Sequence, residues 1–197
     1  MLDHAFLDVV AAVRTTLERA LLERCLAEES LTMDLLLGDL AWEATYALPG
    51  EGEAPRIAAE VTIGWSTWSQ SAYRSRLTGL DDEEPPVVDI EVVLSARDLA
   101  DRPDPARVAA AVGTGPSLGE EPFGEPLPTI EERTTADGSR FVVAVERVGA
   151  VFLDGDSMAS AEQLQAVFEP LGPWLASGLV RLADQGFEFL PPEEDPL

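Results

Sequence analysis

The stretch Thr129–Leu153 reads TIEERTTADGSRFVVAVERVGAVFL and predicts a β-hairpin closed at Asp137-Gly138. That dipeptide suits a type I′ turn, because both central residues need positive φ and Asp and Gly accept it most readily. Closure there pairs Thr134 with Phe141, Glu132 with Val143 and Ile130 with Val145. Phe141, Val143 and Val145 then share a face with Ile130, while Arg140, Val142 and Ala144 take the other. A strand apolar on one face and half apolar on the other belongs inside its sheet. Directly after it, Ser160-Ala-Glu-Gln163 forms a capping box that opens an amphipathic helix.

Working outward, residues 3–28 show a helical stripe of Phe6, Val9, Val13, Leu17, Leu21 and Cys25, flanked by Arg-Glu pairs at i,i+4. Leu31 to Leu48 alternates as extended chain, with a phase shift at Gly38-Asp39 that a bulge or a break between strands produces. Ile57, Ala59, Val61, Ile63 and Trp65 mark a returning strand. Residues 66–86 read as irregular. Val88, Ile90, Val92 and Leu94 mark a further strand. Asp104 and Pro105 form an N-cap and first-turn proline, opening a short helix to Val112. Residues 113–128 read as loop. The last helix starts near Ala161 and is broken or restarted at Pro173. The expected fold is α+β, an antiparallel sheet with helices packed on one face in the order α-β-β-β-α-β-β-α. Residues 1–190 are expected to form one domain and 191–197 a mobile acidic tail.

Charge narrows the function classes. The 197 residues carry 13 basic and 37 acidic side chains, a formal net charge of −24. Every base is Arg, so a P-loop, Schiff-base chemistry and Ser-Lys chemistry are excluded. Such a field repels nucleic acid and anionic membranes and favours a basic protein surface. The N-terminus carries acid where a secretory signal carries base, and no apolar run is long enough to span a membrane. A cytoplasmic location is expected. The one cysteine, Cys25, excludes an intrachain disulfide and a multi-cysteine zinc site.

Few residues suggest chemistry. Val151-Phe-Leu-Asp154-Gly-Asp156-Ser157 resembles the opening motif of haloacid-dehalogenase-type phosphatases, but only 40 residues follow and the family's lysine is missing. Asp154 and Asp156 are expected in a polar turn. The same residues fail as a calcium loop, lacking the glycine and the closing glutamate. His4 is the only histidine, so a two-histidine metal site is impossible. No catalytic residue, metal or cofactor is expected.

Trp65-Ser-Thr-Trp68-Ser69 spells the WSxWS box of cytokine receptors, but those are secreted, disulfide-bonded domains. Trp65, Trp68, Tyr73, Arg74 and Arg76 nevertheless fall together where a strand leaves the sheet. Their residue types are those enriched at binding hot spots, which makes them the candidate partner-binding site. On that reading, replacing both tryptophans abolishes binding and leaves the unfolding midpoint nearly unchanged.

The element order, chiefly the RFVVAVERV strand followed by AEQLQAVFEPLGPWLASGLVRL, resembles class I chaperones of type III secretion. That resemblance implies a small acidic protein that dimerises and holds a secreted partner's segment in extended form. The expected function is a non-catalytic acidic module that binds a basic protein partner as chaperone, adaptor or immunity-type inhibitor. The alternatives are a nucleic-acid mimic that occupies a DNA-binding protein, or a small hydrolase using Asp154 and Asp156.

Overall fold

The computed structural model describes residues 4–21, 26–47, 55–79, 85–135, 138–153, 158 and 160–191. Six strands, β1 (Leu26–Met33), β2 (Leu40–Ala47), β3 (Ile57–Trp65), β4 (Val87–Leu99), β7 (Leu127–Thr135) and β8 (Gly138–Phe152), form one antiparallel sheet. Their order is β1-β2-β3-β4-β8-β7. A small hairpin, β5 (Ser117–Leu118) with β6 (Glu121–Pro122), stands apart from it. Helices α1 (His4–Ala20), α3 (Pro105–Val112), α4 (Ala161–Phe168) and α5 (Leu171–Ala183) cover one sheet face. The fold is therefore α+β with helices on one face, as the apolar patterning requires.

Alternation sets the two faces. Trp42, Val61, Ile63, Ile90, Val92, Leu94, Val143 and Val145 point into the helix layer and are buried. Phe6, Val9, Val13 and Leu17 of α1 meet them in one hydrophobic cluster with Leu175, Leu179 and Leu182 of α5. Glu43, Asp89 and Glu91 point the other way and are exposed. Among the described residues no helix covers that second face.

The hairpin forms as its pattern dictates, in a register shifted by two. Thr135 pairs with Gly138, Ile130 with Val143 and Glu132 with Phe141. Gly138 therefore belongs to the strand pairing, and Asp137 of the expected turn pair lies outside the described residues. A two-residue shift preserves every inward and outward assignment, because the side-chain period is two. β8 lies between β4 and β7, inside the sheet.

Four segments differ from expectation. The first helix ends at Ala20, and β1 begins at Leu26; Cys25 and two of the proposed Arg-Glu pairs involve residues outside the described ones. Arg14 and Glu18 do pair, at 2.7 Å. The phase shift near Gly38 is a complete hairpin turn: Asp34 N–H donates to Asp39 and Gly38 N–H to Asp34, each at 2.8 Å. Residues 67–77, read as irregular, form α2 (Thr67–Leu77), with Ser66 as N-cap accepting from Ser69 N–H at 3.2 Å. The break in the last helix falls at Glu169-Pro170, ahead of Pro173, which sits in the first turn of α5, where its missing N–H costs no helical bond.

The caps at Asp104 and Ser160 are present, accepting from Ala106 and Gln163 respectively. Residues 113–126 fold back over β8. Phe123 lies against Trp174, ring centroids 5.6 Å apart, and over Gly149, where a Cβ would stand 2.3 Å from its ring. Residues 188–191 also return to the sheet. Leu99 and Phe189 form a bridge, and the Pro191 carbonyl accepts from Arg140 at 2.7 Å.

Candidate interaction surface

Because β3 ends where β4 begins, α2 closes one end of the sheet, and the β1–β2 turn meets it there. Thr67 N–H donates to Asp39 Oδ1 at 2.5 Å, and Thr67 Oγ1 donates to the Leu37 carbonyl. Gln70 Nε2 donates to the Gly38 carbonyl at 3.0 Å. The turn itself is shaped by Asp34, whose carboxylate accepts from Leu36 and Leu37 N–H at 2.8 and 2.6 Å. Those two bonds, Leu37's first, hold its pKa below the ordinary carboxylate range. The result is a small turn with its backbone satisfied and its three leucines facing water.

Leu35 and Leu36 are 90% and 95% exposed, and Leu37 66%. Met33 and Leu31 of β1 and Trp68 of α2 are also exposed. Isolated exposed leucines need no explanation, but six large apolar side chains are exposed along one strand, its turn and the helix end docked to that turn, and together they make up an apolar rim. Residues 26–55 carry seven acidic side chains and no basic one. The rim is thus apolar in contact and negative in field.

The five residues expected at a binding site divide between core and surface. Trp65 is fully buried, packed on Phe6 and Tyr73 with ring centroids 5.7 and 5.6 Å away. It offers a partner no surface, contrary to the paired-tryptophan expectation, because alternation along β3 turns it inward. Tyr73 is half-buried against it. Trp68 is 52% exposed. Arg74 and Arg76 are exposed, yet Arg74 donates to Gln70 Oε1 and Arg76 to the Leu153 carbonyl, each at 3.2 Å. In sequence the leucine turn looks like strand, because Leu35 and Leu37 continue the alternation of Leu31 and Met33. Asp34 ahead of Gly38 was the signal that the chain turns there.

The uncovered sheet face is the second surface of note. Glu91 of β4 feels the charges of Glu146 on β8, Glu60 on β3 and, one strand further, Glu43 on β2. Burial first, then those three charges, pushes its carboxyl above the ordinary glutamate range. A raised folded-state pKa means that ionised Glu91 opposes folding, so stability rises as pH falls from neutral toward that range. Urea unfolding at about pH 7 and about pH 5 should show this rise, and Glu91→Gln should shrink it while raising the pH 7 midpoint slightly. An unchanged pH dependence in the variant would remove Glu91 as its source.

Elsewhere, a cleft of about 310 Å³ opens between the start of α3 and residues 185–188. Three of its polar side chains are engaged with the protein itself: Arg107 donates to Gln185, and Asp104 caps α3. Among the described residues no three His, Cys, Asp or Glu side chains are placed to hold a metal ion. Asp154 and Asp156 lie outside those residues, and His4 is exposed at the start of α1. No helix among the described residues is long and apolar enough to cross a membrane. No protein-family model matches the chain, and no curated protein or solved structure matches it either.

Proposed function

We propose that this chain is a non-catalytic acidic module that binds a protein partner with a basic surface, in the cytoplasm, as a chaperone, adaptor or immunity-type inhibitor does. The observation that carries the reading is the apolar rim of Leu31, Met33 and Leu35–Leu37, in a hairpin without a basic residue, with Trp68 of α2 beside its turn. Keeping such leucines in water has no folding rationale, and aromatic and aliphatic anchors ringed by charge are what a partner interface uses. Negative charge would speed the encounter, and the leucines and Trp68 would supply the affinity.

The test is recovery of the tagged chain from its native extract at low salt, beside a variant with Leu35, Leu36 and Leu37 all changed to Ser. One stoichiometric protein is expected with the parent chain and none with the variant. The variant should unfold within about 0.5 kcal/mol of the parent, since these side chains are mostly exposed. A partner retained by the variant would overturn the reading. The acidic uncovered sheet face favours one second reading, a mimic of nucleic acid, which differs in requiring that DNA displace the partner.

A further inference from the structure

β1 is the outermost strand, and among the described residues its far side pairs with nothing. The turn fixes which of its backbone groups look outward. Asp34 N–H donates to Asp39, so in the antiparallel ladder Thr32 and Ser30 also bond inward to Ala41 and Glu43. Leu31, opposite Trp42, and Met33, opposite Leu40, then turn their N–H and C=O toward the open edge. The same two residues present exposed apolar side chains on the helix side of the sheet. An exposed edge with apolar side chains is a template for another strand unless something blunts it. No proline lies in β1.

Resting on the protein-binding reading above, we infer that this edge takes an extended polypeptide segment as a seventh strand. The segment alternates apolar residues with Arg or Lys. Its apolar side chains lie beside Leu31 and Met33. They also approach Leu7, because Arg14, two helical turns along the same side of α1, reaches Glu29 of β1 at 3.3 Å. Its other side chains lie on the uncovered face, over the short Ser30 and Thr32. There Glu43 stands across from Ser30, 3.4 Å from its hydroxyl. The charge pattern chooses the occupant. A second copy would bring two base-free acidic hairpins edge to edge, each on a chain of net charge −24. An anionic membrane is repelled in the same way. A basic, alternating strand satisfies both faces and the backbone together.

The probe is a fluorescein-labelled Val-Arg-Val-Arg-Val-Arg peptide titrated into the full chain and followed by anisotropy. Saturable binding is expected. The same peptide N-methylated on alternate residues keeps its charge but loses its strand donors, and should bind about tenfold more weakly or worse. Leu31→Pro removes one outward N–H without touching the β1–β2 ladder, and should weaken the unmodified peptide about tenfold. Thermal unfolding of that variant checks that it folds; if it does not, Met33→Pro replaces it. Equal binding of the N-methylated peptide would leave only charge attraction and overturn the inference. So would dimerisation of the parent chain that Leu31→Pro abolishes, or partition onto neutral phosphatidylcholine vesicles. These failures do not touch the wider reading, which stands or falls on the leucine-turn variant and its co-purifying partner.

Discussion

Trp65→Ala should lower the unfolding free energy by about 3–5 kcal/mol, while Trp68→Ala should change it by no more than about 0.5 kcal/mol. The two tryptophans stand three residues apart in one motif, yet the sheet and α2 send them opposite ways. Trp65 is the last residue of β3, opposite Leu40, with its ring enclosed by Phe6 and Tyr73. Truncation there opens a cavity where α1, β3 and α2 meet, and α2 loses the contact that seats it. Trp65→Phe should cost much less, because the indole N–H finds no acceptor among the described residues and its loss leaves nothing unpaired. Trp68 stands outside, on the first turn of α2. Its replacement should act on partner capture alone. Chemical unfolding of the three variants decides the matter: a Trp65→Ala chain as stable as its parent would mean that this residue is not core, and the placement of α2 would fall with it.

The same contrast shows what could be read from residues alone. Alternation in β3, β4 and β8 assigned inward and outward sides correctly, because a strand half-buried in a sheet must repeat every two residues. It could not find where a chain turns when the turn continues the pattern. Leu35 and Leu37 kept the alternation of Leu31 and Met33, so the most exposed leucines read as strand. α2 was missed for the opposite reason. Thr67-Trp-Ser-Gln-Ser has little apolar periodicity, and the helix is held by its Ser66 cap and by Thr67 and Gln70 gripping the neighbouring turn. The stripe of α1 ran on in sequence beyond Leu21, but pairing with β2 draws Leu26 onward into the sheet. Propensity is a weak prior against such tertiary contacts. The Trp65–Trp68 stretch was legible as aromatic but not as divided, because burial separates Trp65 from Trp68.

Strict alternation also puts a charge where none is expected. Phe141, Val143 and Val145 face the helices, and so does Arg147, which is 4% exposed. Burial holds its pKa below the ordinary arginine range. The fork of its guanidinium explains its presence: one nitrogen donates to the Gly124 carbonyl and the other to that of Gly113. These carbonyls flank the excursion that carries β5, β6 and Phe123 over the sheet, so one side chain ties both ends of it down. Arg147→Ala should therefore cost about 2–4 kcal/mol, from two unpaired carbonyls and lost packing. Hydrogen-exchange protection should fall first across residues 113–124. Arg147→Lys should recover only part, since a single ammonium cannot span both carbonyls as the planar fork does. Arg147→Met tests the competing effect. Replacing a buried charge by an apolar side chain of similar volume is often neutral or stabilising when the charge merely burdens the core. Here the carbonyls lose their donors with it, so Met should remain less stable than Arg. A Met variant more stable than the parent, with its loop still protected, would show that the guanidinium is a burden and that Phe123 and Gly149 hold the excursion by packing alone.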